Sequence, residues 1–103
     1  MSGAAPHCPC DHADRRAPRT VSEAVALARH RDAVTQQLEP IERAPDKWMS
    51  VLRCRQCGQL WAEDSVSSGH ADLLFVYPIE TDDPHEWLAR AASIGSGLDR
   101  STK

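Results

Sequence analysis

Aromatic side chains are scarce in this chain: 103 residues carry three Trp, one Tyr and one Phe. A core with so few rings must be largely aliphatic, so Trp48, Trp61, Trp87, Phe75 and Tyr77 must each cover much area. Long apolar runs are missing too, and none approaches the roughly 20 residues that a membrane-spanning helix needs. The first residues lack the basic-then-apolar pattern of a secretory leader. A cytoplasmic chain that does not enter a membrane is therefore expected. There is no phosphate-binding glycine loop, no His-Glu-x-x-His pattern and no Ser, His and Asp set in motif context. Asp82 and Asp83 are neighbours, but helix capping explains them, and Glu63 and Asp64 would point to opposite faces of a strand. The expectation is a protein that is not an enzyme. Repeats and heptads are also absent, and a chain this short has room for one core only.

What is present is four cysteines in two close pairs: Cys8 and Cys10 near the start, Cys54 and Cys57 near the middle. In the cytoplasm expected for this chain, thiols meet a reducing environment, which favours metal over disulfides. Cys54-Arg55-Gln56-Cys57-Gly58 has the spacing of a zinc knuckle, in which a tight turn aims both sulfurs at one point. Gly58 supplies the positive φ such a turn requires. Cys8, Cys10 and His12 alternate, so an extended backbone turns all three to one side. That makes five candidate ligands for four places. Thiolates outcompete imidazole for a structural Zn²⁺, so Cys8, Cys10, Cys54 and Cys57 are the expected set. His12 is the alternative if a strained Cys-x-Cys bite leaves one sulfur out. A four-cysteine shell has no open position for water or substrate. It would close a loop of about forty residues and hold an N-terminal segment with little core of its own.

Charge narrows the partner. The formal net charge is −3, and four thiolates on one Zn²⁺ would take it to about −5. That is a poor footprint for non-specific nucleic-acid binding. A protein partner is expected. A zinc-ribbon nucleic-acid binder is the alternative, if folding gathers Arg15, Arg16, Arg19, Arg53 and Arg55 into one patch.

Residues 1 to 7 are expected to fray and 13 to 19 to link. Thr20-Val21-Ser22-Glu23 reads as a capping box opening a helix over about 21–38, closed by Pro40. Ala24, Leu27, Ala28, Val34, Leu38 and Ile41 fall on one face of it. Arg31 interrupts that face, either snorkelling or paired with an acid of the sheet, and His30 lies at its edge as a structural residue. Residues 42 to 47 read as a charged turn. Trp48–Arg53 and Gln59–Val66 read as strands entering and leaving the knuckle, with Trp48 and Trp61 able to shield the metal. Residues 67 to 70 form a loop, and Leu73–Tyr77 is a third strand, buried on both faces or at a partner interface. Asp83, Pro84 and Glu86 open a second helix that Gly95 ends. The expected fold is thus α+β: a three-stranded, mainly antiparallel sheet carrying a zinc knuckle, with two packed helices. The domain spans 1–95, and 96–103 is a disordered tail.

The segment from Trp48 to Arg53, continued by Cys54-Arg55-Gln56-Cys57-Gly58-Gln59-Leu60-Trp61, resembles small bacterial immunity-type proteins. The resemblance covers residues 48 to 66. It implies a cytoplasmic protein that binds and neutralises a toxin, and the acidic balance would suit a basic nuclease as target. The Cys8/Cys10 pair departs from the usual zinc ribbon, where both pairs have two intervening residues.

Overall fold

The structure, a computed structural model, describes residues 8, 10, 12–67 and 72–98. The expectations for residues 1 to 7, the loop at 68 to 70 and the tail beyond 98 lie outside these. Helix α1 runs Val21–Val34, and its start is the box read from sequence. The Thr20 hydroxyl accepts from the Glu23 N–H at 3.0 Å, while the Glu23 carboxylate accepts from the Arg19 N–H at 2.7 Å. Each bond satisfies a donor at the helix entrance that the helix itself leaves free. Helix α2, Pro84–Arg90, opens as expected, with the Asp83 carboxylate accepting from the Glu86 N–H and Pro84 at the first turn.

The sheet has four strands, not three. They are β1 Leu38–Ala44, β2 Met49–Cys54, β3 Leu60–Ser67 and β4 Asp72–Ile79, in that order and antiparallel throughout. The additional strand is β1, where a helix end and a charged turn were expected. Helix α1 stops at Val34, a 3-10 turn Thr35–Gln37 follows, and the chain then pairs along β2 from Leu38↔Cys54 to Ala44↔Met49. Pro40 does not end a helix. It sits in an edge strand beside a register shift, one of the few places in a sheet where a residue without an N–H is tolerated. Strand β4 is the opposite edge. Its Phe75, Val76 and Tyr77 are buried while Leu74 is 42% exposed, so it is not covered on both faces along its length.

The register sorts the sheet's side chains. Met49, Val51, Ala62, Asp64, Val66, Phe75, Tyr77 and Ile79 share one face; Leu52, Cys54, Trp61, Glu63, Leu74 and Val76 share the other. The first face builds the larger core with Leu88 of α2, Leu98, and Ala24, Leu27 and Ala28 of α1. The core thus reaches past Gly95, where the domain was expected to end. The second face builds a smaller core with Val34, Leu38, Cys10 and Cys8. Helix α1 packs against β4, and α2 against β1 and β2. None of the described helices is long and apolar enough to cross a membrane.

Three polar contacts lock these layers. Asp64 is fully buried, and its carboxylate accepts from Ser65 N–H, the Ser93 hydroxyl and Ile94 N–H at 2.7, 2.7 and 2.8 Å. This fastens the chain after α2 onto β3. Gly95 then lies so close that a Cβ would collide with the Ser65 carbonyl oxygen. Arg31 Nε donates to Glu63 Oε2 at 2.6 Å, the semi-buried pair with a sheet acid that its place on the helix allowed. Lys47 Nζ donates to the carbonyls of Leu88, Ala89 and Ala91 at 2.7, 2.8 and 2.7 Å. A cation on the last carbonyls suits the negative end of α2 and stops that helix at Arg90, one turn short of the expected Ile94.

Candidate metal centre

The four cysteine sulfurs converge. Cys8, Cys10, Cys54 and Cys57 place their Sγ atoms within 4.8 Å of one another, with Cys8 Sγ 3.5 Å from Cys54 Sγ and Cys10 Sγ 3.6 Å from Cys57 Sγ. Four sulfurs each about 2.3 Å from a central Zn²⁺ would stand about 3.8 Å apart at the corners of a tetrahedron. The cluster is therefore compatible with a metal ion of that size held by all four thiolates. Each short contact joins one N-terminal cysteine to one knuckle cysteine, so an ion there would bind the two segments together.

The knuckle is built locally. Strand β2 delivers Cys54 at its last residue, and the chain turns back through Gly58 at φ +80. Gly58 N–H donates to Cys54 O at 3.0 Å, and Cys54 N–H to Gln59 O at 2.9 Å. Burial works against ionisation of Cys54, yet the N–H groups of Cys57 and Gln56 aimed at its sulfur outweigh it and bring the thiol down to about 7. Burial pushes the Cys10 thiol up, and the neighbouring sulfurs of Cys8, Cys57 and Cys54 add to that. Burial likewise raises Cys57, although Gln59 N–H pulls the other way. Crowded sulfurs resist a second and third negative charge, and a divalent cation among them removes that resistance.

The N-terminal arm is held by two histidines. His30 Nε2–H donates to the Cys10 carbonyl at 2.6 Å, and its ring lies 5.7 Å from that of Trp61. An α1 residue read only as structural is thus the strut between the helix and the cysteine arm. His12 lies outside the set of four mutually close ligands. Its Nδ1 stands 3.4 Å from Cys10 Sγ and 3.8 Å from Cys57 Sγ, suited to donating a hydrogen bond toward thiolate charge. No side-chain motif marks the role of His30, because its partner is a backbone carbonyl twenty residues away.

Trp61 is fully buried in the smaller core beside the cysteines, as a shield requires. Trp48 is not a shield: it is 81% exposed. It closes the four-residue connection from β1 to β2, directly after the 3-10 turn Pro45–Lys47, with φ 57 and ψ 36. Its indole belongs to neither of the two buried cores. No family model, curated protein or solved structure matches the chain.

Proposed function

We propose that the chain is a zinc-stabilised protein-interaction module, and that its specific form is an immunity or inhibitor protein that binds a toxin or an enzyme. The observation that carries this reading is the convergence of Cys8, Cys10, Cys54 and Cys57, two pairs from distant parts of the chain, on one point. Four thiolates fill the shell of a tetrahedral Zn²⁺ and leave no position for substrate. The metal then serves to hold the fold, and the work falls to the surface. A reducing cytoplasm is the setting this requires, since the thiolates must stay free. Nucleic-acid binding has less support, because Arg53, one of the arginines it would use, stands 3.6 Å from Glu39.

Native mass spectrometry of the untagged chain, with and without a chelator and alongside circular dichroism, tests the metal half. One zinc per chain, whose removal unfolds the domain, is expected. Absence of zinc, or its loss without unfolding, would overturn the reading. The partner half fails if affinity capture from native cytoplasm recovers nucleic acid and no protein.

A further inference from the structure

On the sheet face that carries the cysteines, the end away from them lies open. A furrow of about 440 Å³ is lined there by Arg43, Pro45, Trp48, Ser50, Glu63 and Leu74. A second hollow of about 220 Å³, reaching toward Leu38 and Leu52, shares Arg43, Ser50 and Glu63 with it, so the two run together. Trp48 and Leu74 are the large apolar side chains exposed among the described residues.

Three features mark this furrow as more than bare surface. Trp48 stands in a left-handed backbone conformation that bulky residues rarely adopt, and glycine would occupy the position with less strain. The loop bearing it is tied down, because its neighbour Lys47 donates to the carbonyls of Leu88 and Ala89 in α2 and of Ala91 just beyond it. An exposed aromatic on a rigid support is the usual anchor of a protein interface. Finally, the charges in the furrow do not balance. Glu63 is answered by Arg31, whereas the Arg43 guanidinium has no ion pair or side-chain hydrogen bond among the described residues. The open charge is a cation beside an indole.

We propose that this furrow is the docking site, and that its occupant is a segment of a partner protein presenting a large apolar side chain to Trp48 and Leu74 and a carboxylate to Arg43. This rests on the binding-module reading and supplies its surface. The chain's net negative charge governs long-range attraction of the partner as a whole; the furrow selects the segment that docks.

The test pans a phage-displayed library of random peptides against the zinc-loaded full chain, whose metal content is first checked by native mass. The enriched peptide, synthesised, is then titrated against variants. The expected peptide joins a large apolar residue to Asp or Glu. Trp48→Gly and Arg43→Glu are each expected to weaken it at least about tenfold, and Arg55→Glu on the exposed knuckle to leave it unchanged. Trp48→Gly suits the left-handed backbone, so its thermal midpoint should stay within about 5 °C of the parent, separating lost binding from lost fold. No enrichment, a peptide without an acid, or affinity indifferent to both furrow variants overturns the proposal. Self-association abolished by Trp48→Gly also overturns it, by making a second copy the occupant. If the chain holds its zinc but its peptide ignores the furrow, only this inference falls. If it holds no zinc, the module reading falls.

Discussion

The two ends of the sheet are held by different chemistry, and the two tryptophans on either side of that divide show it. At the knuckle end, Trp61 is fully buried against sulfurs from two segments, and its Nε1 has no partner among the described residues. At the other end, Trp48 is 81% exposed, and the layers are tied by a carboxylate on β3 and an ammonium on the β1–β2 loop. The cysteine arm has little apolar surface of its own, so its attachment depends on the sulfur cluster and the bond from His30 to the Cys10 carbonyl. The opposite end spreads its attachment over many ordinary contacts, and can leave an indole in solvent without opening the core. A metal clip suits the end where the chain has least to bury; an interaction surface suits the end already secure without it.

The largest effect should come from breaking the clip. Cys54→Ser removes a buried ligand supplied by β2 itself, and loss of metal together with cooperative structure is expected, read by native mass and near-ultraviolet dichroism. Cys57→Ser should cost less. Cys57 is exposed, and His12 Nδ1, 3.8 Å from its sulfur, is placed to take over the vacant position. Equal collapse of the two variants would mean that His12 does not stand in.

Next comes the carboxylate end. Asp64→Asn preserves shape but turns an NH₂ toward donors already aimed at the carboxylate. A loss of about 2–4 kcal/mol is expected from the unsatisfied buried donors. Amide exchange should accelerate around Ile94 to Leu98 while zinc content stays at the parent value. If the metal is lost as well, the two ends are one cooperative unit and the contrast fails.

The knuckle and the larger core, to which Tyr77 belongs, should also differ in the sign of their pH dependence. If the four thiolates hold a metal, acid protonates and releases them, so the knuckle weakens as pH falls. Tyr77 behaves oppositely. Burial, with the Asp64 charge adding, raises its phenol from the ordinary 10 to about 12. A group whose pKa is raised by folding contributes stability that is fully present below about 10 and is lost as pH rises through 12. The contribution is about 2–3 kcal/mol at 1.4 kcal/mol per pH unit. Chemical denaturation of Tyr77→Phe from pH 9 to 12 should show this alkaline loss removed. An unchanged alkaline limb would assign it to another group.

How much of this was legible beforehand follows from how local each feature is. Thr20, Asp83, Gly58 and the cysteine pairs are legible because each works on residues within a few positions, or through a spacing that suits a metal site. Strand β1 is not. Leu38 and Ile41 continue the helical spacing of α1, and Pro40 looks like a helix stop. Only pairing with β2 makes the segment a strand. Gly95 looks like the stop for α2, but the helix ends at Arg90, where Lys47, some forty residues earlier in the chain, meets its last carbonyls. Spacing does not separate the two tryptophans, because both fall in the segments expected as strands flanking the knuckle, whereas Trp48 sits in the loop before β2. One left-handed residue at the end of a loop separates them, and no periodicity encodes it.

The smallest expected effect falls on Lys47. Lys47→Met keeps most of the stem's apolar length and removes the ammonium that meets Leu88, Ala89 and Ala91. Those carbonyls can turn partly to water, so a loss of about 1–2 kcal/mol is expected, less than for a fully buried charge. The more telling change is local. With the Lys47 bonds gone, only the bond from Trp48 N–H to Pro45 O and the flanking Ala44↔Met49 pair hold its left-handed backbone, and its fluorescence anisotropy should fall in a variant that keeps Trp48 as its sole tryptophan. Peptide affinity at the furrow should weaken in parallel, though every contact residue is still present. Affinity unaffected by Lys47→Met would show that the anchor is rigid without the clamp, and that strain at Trp48 is maintained by the hairpin alone.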